Sequence, residues 1–540
     1  MNKSIPLLLA VFINFCSAQN APFIDWQKKD ANGIGKLIKA DSDYNLIVVG
    51  GTDYSSSENG FLYINLSKLD RQGNAIWQRT YFDSTNSFLD EAFDLAIDSF
   101  DNIYISGRSN WTGSFSWDIS QSLILKYDKN GNLRWAKKYG NNIGMGGAAS
   151  KIKLFNNKFI YVVGSMDSLN GNSSYKSFIA QYDSSGILNW SHVDSNSFET
   201  FFVDLEIDMQ GNAYAVGVTT CCLPGYDTYV TKFNLSGGTV WTKVALDSVF
   251  TYSHALCSAI DDSANIYIGG ETINPNLTAG FDFILTKIDS SGNEIWFVPY
   301  NSTTNPDHEL ASGIILDYDQ NCYLYGKVAF GGGSQSAPLI TKFNKNGNVE
   351  WSWKYDTLNG GAGGNFYHAI LGLDSMLIFG GSGKSIPLPQ EGYLLASFKP
   401  SGQKNWIAES SCKCYFRYFT ELDSNFYATG WDYVSPPTFD YDSIFTCKLT
   451  YDTSLQVQAI RFDKNSIVYP NPFSQELNFR FENNNSIVEI VLYDIFGKVI
   501  SVGNIERSFK MNTYQILNGV YILKIRYMNG IEEFIKVIKI

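Results

Sequence analysis

The chain has 540 residues, with 41 Lys and Arg against 53 Asp and Glu, a formal charge of −12. That balance argues against a nucleic-acid binder, which must neutralise phosphates with clustered cations. Only 17% of residues are charged while 44% are hydrophobic and 15% aromatic, so the chain can bury a large core and is not a disordered polymer.

Residues 1–18 read as a secretory signal peptide. Lys3 supplies the positive start, Ile5 to Phe15 the apolar stretch, and Cys16-Ser17-Ala18 a small-residue cleavage site before Gln19. A lipid anchor on Cys16 is disfavoured by the bulky Phe15 before it. No later stretch offers about 18 uninterrupted apolar residues, so no transmembrane segment is expected in the mature chain. Removing Cys16 leaves seven cysteines: Cys221, Cys222, Cys257, Cys322, Cys412, Cys414 and Cys447. Outside the cell one or two disulfides are expected, and the odd count leaves a thiol over. No Cys/His spacing suits zinc.

From residue 26 a repeat takes over. Tryptophan returns at Trp26, Trp77, Trp135, Trp190, Trp241, Trp296, Trp351 and Trp406, at intervals of 51 to 58 residues. Most are preceded by one phrase, as in Lys126-Tyr127-Asp128-Lys129-Asn130-Gly131-Asn132-Leu133-Arg134-Trp135. A second phrase, such as Asp98 to Gly107, ends in a glycine that recurs at Gly50, Gly107, Gly164, Gly217, Gly270, Gly326, Gly380 and Gly430. Each repeat resolves into four short strands, in the second Phe93–Ile97, Ile103–Ser106, Leu123–Tyr127 and Leu133–Tyr139, joined by Asp/Asn and Asn-Gly turns. Eight such units predict an all-β chain whose residues 19–462 form an eight-bladed β-propeller, seven blades being the alternative. The last repeat lacks its tryptophan strand and Trp26 lacks three strands before it. Pairing the Trp26 strand with the Phe416–Asp452 strands closes the ring and removes an open sheet edge. The repeat tryptophans are expected in the core.

These phrases resemble the SBBP-type bacterial β-propeller repeat, with matches running from Tyr226-Asp227 to Trp241 and from Phe281-Asp282 to Trp296. The repeat ending at Trp406 departs from it, carrying Ser397 and Lys399 in place of the usual Lys and Asp. The resemblance implies a scaffold and no particular activity.

Residues 463–540 form a second domain. Strand-like runs at Glu476–Phe481, Ile487–Tyr493, Lys498–Val502, Val520–Arg526 and Glu533–Ile540 predict a small Ig-like β-sandwich. The segment resembles the C-terminal sorting domain of the type IX secretion system of Bacteroidetes. The match rests on Tyr469-Pro470-Asn471-Pro472, Leu492-Tyr493-Asp494, Gly497-Lys498-Val499, Leu517-x-Gly519-Val520-Tyr521 and a tail from Lys536. It implies Sec export, passage through the type IX machinery as partner, and a secreted or cell-surface location.

In a meandering blade the long connections, from second to third strand and between blades, emerge at one end, where binding residues concentrate. Trp111, Trp117, Tyr226, Phe281, Trp431 and Tyr433 fall there and are the candidate contacts to a surface glycan or extracellular protein. The competing reading packs Trp117, Tyr226 and Phe281 between blades. Asp307-His308-Glu309 is the one acid–His–acid cluster, and it supports the alternative of a polysaccharide hydrolase or lyase at the channel mouth. Asp41-x-Asp43-x-Asn45 and Asp317-x-Asp319-x-Asn321 look like half of a calcium loop, but the rest of such a loop is missing and Asx turns explain them. No catalytic or metal residue is assigned and no cofactor is expected, calcium being the alternative. The favoured function is a binding or adhesion protein.

Overall fold

The computed structural model describes residues 22–30, 34–51, 63–83, 89–111, 120–139, 147–167, 175–195, 198–220, 226–244, 252–273, 280–302, 307–330, 335–355, 363–372, 375–383, 392–409, 414–422, 425–433 and 441–450, and towards the C-terminus 466–469, 476–481, 487–494, 499–503, 509–512, 519–527 and 532–539. The predicted signal peptide, Trp117, Pro470, Asn471, Pro472 and Gly497 lie outside the described residues. Backbone contacts divide the chain into Met1–Asp452 and Thr453–Ile540. Among the described residues no helix is long and apolar enough to cross a membrane.

The first unit is an eight-bladed β-propeller. Blade 1 consists of antiparallel strands Ile34–Ala40, Leu46–Gly51, Ile64–Leu69 and Ala75–Tyr81, hydrogen-bonded in that order. Blades 2 to 7 repeat it over 89–139, 148–193, 200–244, 253–300, 308–354 and 364–409. Blade 8 takes three strands from the end of the repeat region, Cys414–Leu422, Asn425–Tyr433 and Tyr441–Thr450, and its outermost strand, Phe23–Asp30, from the beginning. Phe23 pairs with Thr450 and Trp26 with Lys448, so the predicted closure is the observed one. The first strands of successive blades touch around the whole ring, including blade 8 against blade 1.

The core lies between blades rather than within them. Val49 and Leu66 of blade 1, for example, pack with Leu95, Ile105 and Leu125 of blade 2. The two sequence phrases record how neighbouring blades lock. In each first strand one residue bulges out of register opposite the phrase glycine: between Ala92 and Asp94 opposite Gly107, and between Phe202 and Asp204 opposite Gly217, with counterparts in the other six blades. The bulge drives the first strand's backbone onto that glycine, leaving no room for a Cβ. In blade 7 the residue in this position is Gly381, whose Cβ would lie 1.9 Å from the Asn365 carbonyl, and not Gly380 as the spacing predicted. A pair of adjacent glycines made the sequence register ambiguous there.

The tryptophan phrase is a clasp across the outer seam. The Trp241 indole N–H donates to the Ser290 carbonyl of the next blade at 3.1 Å, and its ring lies under Gly292, whose φ of 87° and missing Cβ let the turn sit on the indole. The same donation runs from Trp26 to Arg71, Trp77 to Lys129, Trp135 to Ser184, Trp190 to Leu235, Trp296 to Lys345 and Trp351 to Pro400. These seven rings are only partly buried, whereas Trp406 is buried. In blade 8 the third and fourth strands come from opposite ends of the chain. The phrase lysine reinforces the seam: Lys232 also donates to the Ser290 carbonyl, at 2.9 Å. Trp241→Phe keeps a ring over Gly292 but deletes the donor, so urea denaturation should show a loss of about 1–2 kcal/mol. An unchanged midpoint would reject the clasp.

The Asp-x-Asp-x-Asn segments are closed Asx turns. Asp41 Oδ1 accepts the N–H groups of Asp43 and Asn45 at 3.0 and 2.7 Å, while Oδ2 meets the Lys68 ammonium at 2.6 Å. Asp317 is used in the same way, with Tyr323 Oη donating at 2.7 Å to Oδ2. Cys414 is disulfide-bonded, and Cys257, Cys322 and Cys447 are free and buried.

The second unit has seven described strands in two antiparallel sheets. One orders Ser466–Tyr469, Glu476–Phe481 and Phe509–Asn512; the other orders Val499–Gly503, Ile487–Asp494, Gly519–Tyr527 and Glu532–Lys539. Ile490, Leu492, Leu523, Ile525 and Val537 form its buried side, and Tyr521 is buried with them.

Candidate functional site

Two places on the propeller gather chemistry: the central channel and the end that carries the long connections. The channel is a cavity of about 640 Å³ lined by the first strands of all eight blades. The residue after each bulge faces it, so the bulge that locks the blades also aims side chains into the lumen. Blades 2 to 4 contribute Asp94, Lys151 and Asp204 at that level, while blades 5, 7 and 8 contribute Cys257, His368 and Tyr418. Two residues further on come Lys39, Lys153 and Glu206.

These charges are balanced and tied to the backbone. Asp94 Oδ2 accepts the Ile152 N–H at 3.1 Å, and Asp204 Oδ2 accepts the Ser258 N–H at 2.7 Å. Lys151 stands 3.9 Å from Asp204, and Lys153 3.1 Å from Glu206. Burial pulls the Lys151 ammonium down, but Asp204 and Asp94 outweigh it and hold it above its ordinary value. Burial pushes Glu206 above the usual carboxylate range, against the pull of Lys153. His368 lies 4.7 Å from the Tyr418 ring and 5.0 Å from Phe419. Burial, with Lys39 and Lys151 adding, brings it down to about 3, so it is a neutral imidazole at pH 7.

At the loop-bearing end, half-buried rings run in an arc across blades 4 to 6. Tyr226 stacks on His254 at 5.5 Å, Tyr252 lies 5.4 Å from Phe281, and Phe281 lies 5.2 Å from His308. His254 Nδ1 is 3.2 Å from Glu271 Oε1. On the opposite side of the ring, Trp431 stacks on Tyr415 at 5.4 Å with 18° between planes. Tyr226, Phe281 and Trp431 therefore join ring clusters at the predicted end, although Trp431 is remote in the ring from the other two. Trp111 and Tyr433 end the second strands of blades 2 and 8 at the same end. Tyr469, Gly519 and Lys536 lie on strands of the second unit.

The acid–His–acid cluster does not assemble. Strand alternation sends His308 and Glu309 to opposite faces. His308 Nδ1 accepts the Phe281 N–H at 3.3 Å, and Glu309 is fully buried, its Oε1 taking the Ser302 N–H at 3.0 Å and hydroxyl at 2.6 Å. The glutamate caps a connection between blades. Sequence reasoning missed Tyr252, Tyr415 and the channel charges. Aligning the repeats on the phrase glycine, and comparing the residue one step past each bulge, would have found the latter.

Residues 467–539 match the family described as the secretion system C-terminal sorting domain. Such a domain engages the type IX secretion machinery and marks the chain for export to the cell surface or extracellular space. No curated protein matches the chain. Similar solved structures include the polysaccharide lyase Uly1, at 8% identity over 77% of this chain and 90% of that one with a TM-score of 0.43. A puromycin hydrolase is similar at 10% over 74% and 59%, TM-score 0.43, and the β-propeller domain of the Trilobed protease from Pyrococcus furiosus at 10% over 70% and 97%, TM-score 0.37.

Proposed function

We propose that this exported propeller is a binding or adhesion protein whose loop-bearing end holds an extracellular glycan or protein. The reading rests on one observation: half-buried rings on blades 4 to 6 and on blade 8 gather where the variable connections emerge. Rings with an apolar face and a polar edge suit sugar faces and protein hot spots alike, and a rigid scaffold lowers the ordering cost of engaging them. Sec export through residues 1–18 completes the route that the sorting domain continues.

The test is retention of the mature chain on immobilised polysaccharides and matrix proteins, with released fragments recorded in parallel. The double variant Phe281→Ala, Trp431→Ala should lose at least tenfold in affinity with little change in melting temperature, as each ring is only partly buried. Unchanged retention would reject the loop-bearing end as the binding face. Released fragments would favour a hydrolase or lyase instead.

A further inference from the structure

Counted as charges, the channel is neutral, with Lys39, Lys151 and Lys153 against Asp94, Asp204 and Glu206. Counted as hydrogen bonds, it is not. Every one of these carboxylates already accepts from the protein. Asp94 takes the Leu95 and Ile152 N–H groups at 2.9 and 3.1 Å, and Asp204 takes those of Leu205 and Ser258 at 2.9 and 2.7 Å. Glu206 takes the Lys153 ammonium at 3.1 and 3.3 Å. The other two ammoniums have no acceptor. Lys151 comes no nearer to Asp204 than 3.9 Å, beyond hydrogen-bond reach. Lys39 lines the cavity, exposed to it, with neither an ion pair nor a hydrogen bond among the described residues. An ammonium carries three N–H donors. Lys39 and Lys151 therefore bring unanswered donors to a lumen whose own carboxylates are already engaged.

The blade fold does not ask for these lysines. At the level of Lys39, blades 6, 7 and 8 carry Ile315, Ile370 and Thr420. At the level of Lys151, blades 5, 7 and 8 carry Cys257, His368 and Tyr418. The charged lining residues all stand on blades 1 to 4, so the cavity of about 640 Å³ has one ionic wall. The facing wall, on blades 6 to 8, presents part-buried Ile315, Ile370, Tyr367, His368 and Tyr418. A volume of this size, apolar on one side with a few convergent polar groups on the other, suits a small organic ligand. Its charge follows from the ionic wall. The free donors call for an anion, while the fixed carboxylates among them repel a second negative charge. Burial pulls the Lys39 ammonium down, Asp94 opposes the fall, and Lys153 and Lys151 add to it, so a carboxylate beside Lys39 would relieve it.

We propose that the channel is a second binding site, for a small molecule carrying one carboxylate on an apolar body. Lys39 and Lys151 donate to the carboxylate, and the body lies against Ile370 and the His368 and Tyr418 rings. Lys153, held by Glu206, stays out of the contact. This site goes beyond the binding reading above and does not rest on it.

The mature full chain is titrated calorimetrically at pH 8 with hexanoate and 3-phenylpropionate. The matching alcohols, 1-hexanol and 3-phenylpropanol, lack the charge, acetate lacks the body, and phenyl phosphate is a dianion. At least one of the two carboxylates should bind at a single site, about tenfold or more tighter than its alcohol, acetate or phenyl phosphate. Lys39→Gln should weaken that carboxylate about tenfold or more and erase its margin over the alcohol. The melting temperature of Lys39→Gln should not change, because its ammonium holds no protein group. Lys151→Gln should lower the affinity in the same way. Failure of both carboxylates to bind overturns the proposal, as does unchanged affinity in Lys39→Gln. An alcohol, acetate or phenyl phosphate that binds as tightly as the carboxylate overturns it too, since the charge, the body or the single negative charge would then play no part.

Discussion

Gly217→Ala should abolish the propeller. The new Cβ would stand 1.8 Å from the Phe201 carbonyl oxygen, 2.7 Å from its carbon and 2.8 Å from Phe202 Cα. All three are backbone atoms, so no side-chain rotation relieves the clash; the bulge in the first strand of blade 4 must be undone. That bulge also aims Asp204 at the Ser258 N–H of blade 5, so the damage reaches the next seam. A loss above about 4 kcal/mol is expected, in the range of mutations that break a strained backbone site. In a closed ring, opening one seam exposes two sheet faces, and the variant should be recovered as aggregate or melt far below the wild type. Gly51→Ala is the control, since among the described residues its Cβ would meet only the Tyr63 carbonyl, at 3.5 Å. It should stay within about 1 kcal/mol of wild type by urea denaturation. If both substitutions are tolerated alike, the close approach is not what holds the blades in register.

The same glycine explains why the architecture was legible in the sequence. A blade seam makes two demands that few residues meet, a missing Cβ opposite the bulge and an indole N–H over the next blade's turn. Each leaves a fixed letter at each repeat, and counting the letters counts the blades. Strand closure could be read from Trp26 standing alone and the last repeat ending without its tryptophan. The channel was not legible for the opposite reason. Its charges occupy equivalent positions in different blades, but nothing in the blade fold requires Lys151 rather than Cys257 or His368 there, so the phrases carry no trace of them. Adjacent charges were likewise misread at Asp307-His308-Glu309, because neighbours in sequence are opposed on a strand. In the second unit the strands at 466–469 and 509–512 are four residues each, too short to show alternation, and the first runs directly into Pro470.

Glu309→Gln should stabilise the protein, and only above a definite pH. Glu309 is completely buried between blades, with Oε1 accepting two bonds from Ser302 and Oε2 accepting none. Burial pushes its pKa up to about 7, against the pull of the Ser302 donors and with the Asp282 carboxylate adding to the rise. An unfolded glutamate titrates near 4.5. A raised folded pKa means that the folded state holds its proton where the unfolded state has released it. Below about pH 4.5 both are protonated and the site contributes its full stability. Between 4.5 and 7 that stability is lost as pH rises, and above 7 the folded chain carries a buried carboxylate. The difference, 7 − 4.5 = 2.5 units, corresponds to roughly 3 kcal/mol. Glutamine keeps the Oε1 acceptor for Ser302 and cannot ionise. It adds an amide where Oε2 stood, which costs part of the gain, so about 2 kcal/mol should remain at pH 8. Urea midpoints of wild type and variant, measured from pH 4 to 8, should coincide or favour the wild type at the acid end and separate in favour of the variant as pH rises through 7. The other buried acids, Glu206 among them, titrate in both proteins and cancel in the difference. Parallel curves across that range would show that Glu309 releases its proton at the same pH in the folded and the unfolded chain, and that the seam between blades 5 and 6 tolerates the carboxylate without penalty.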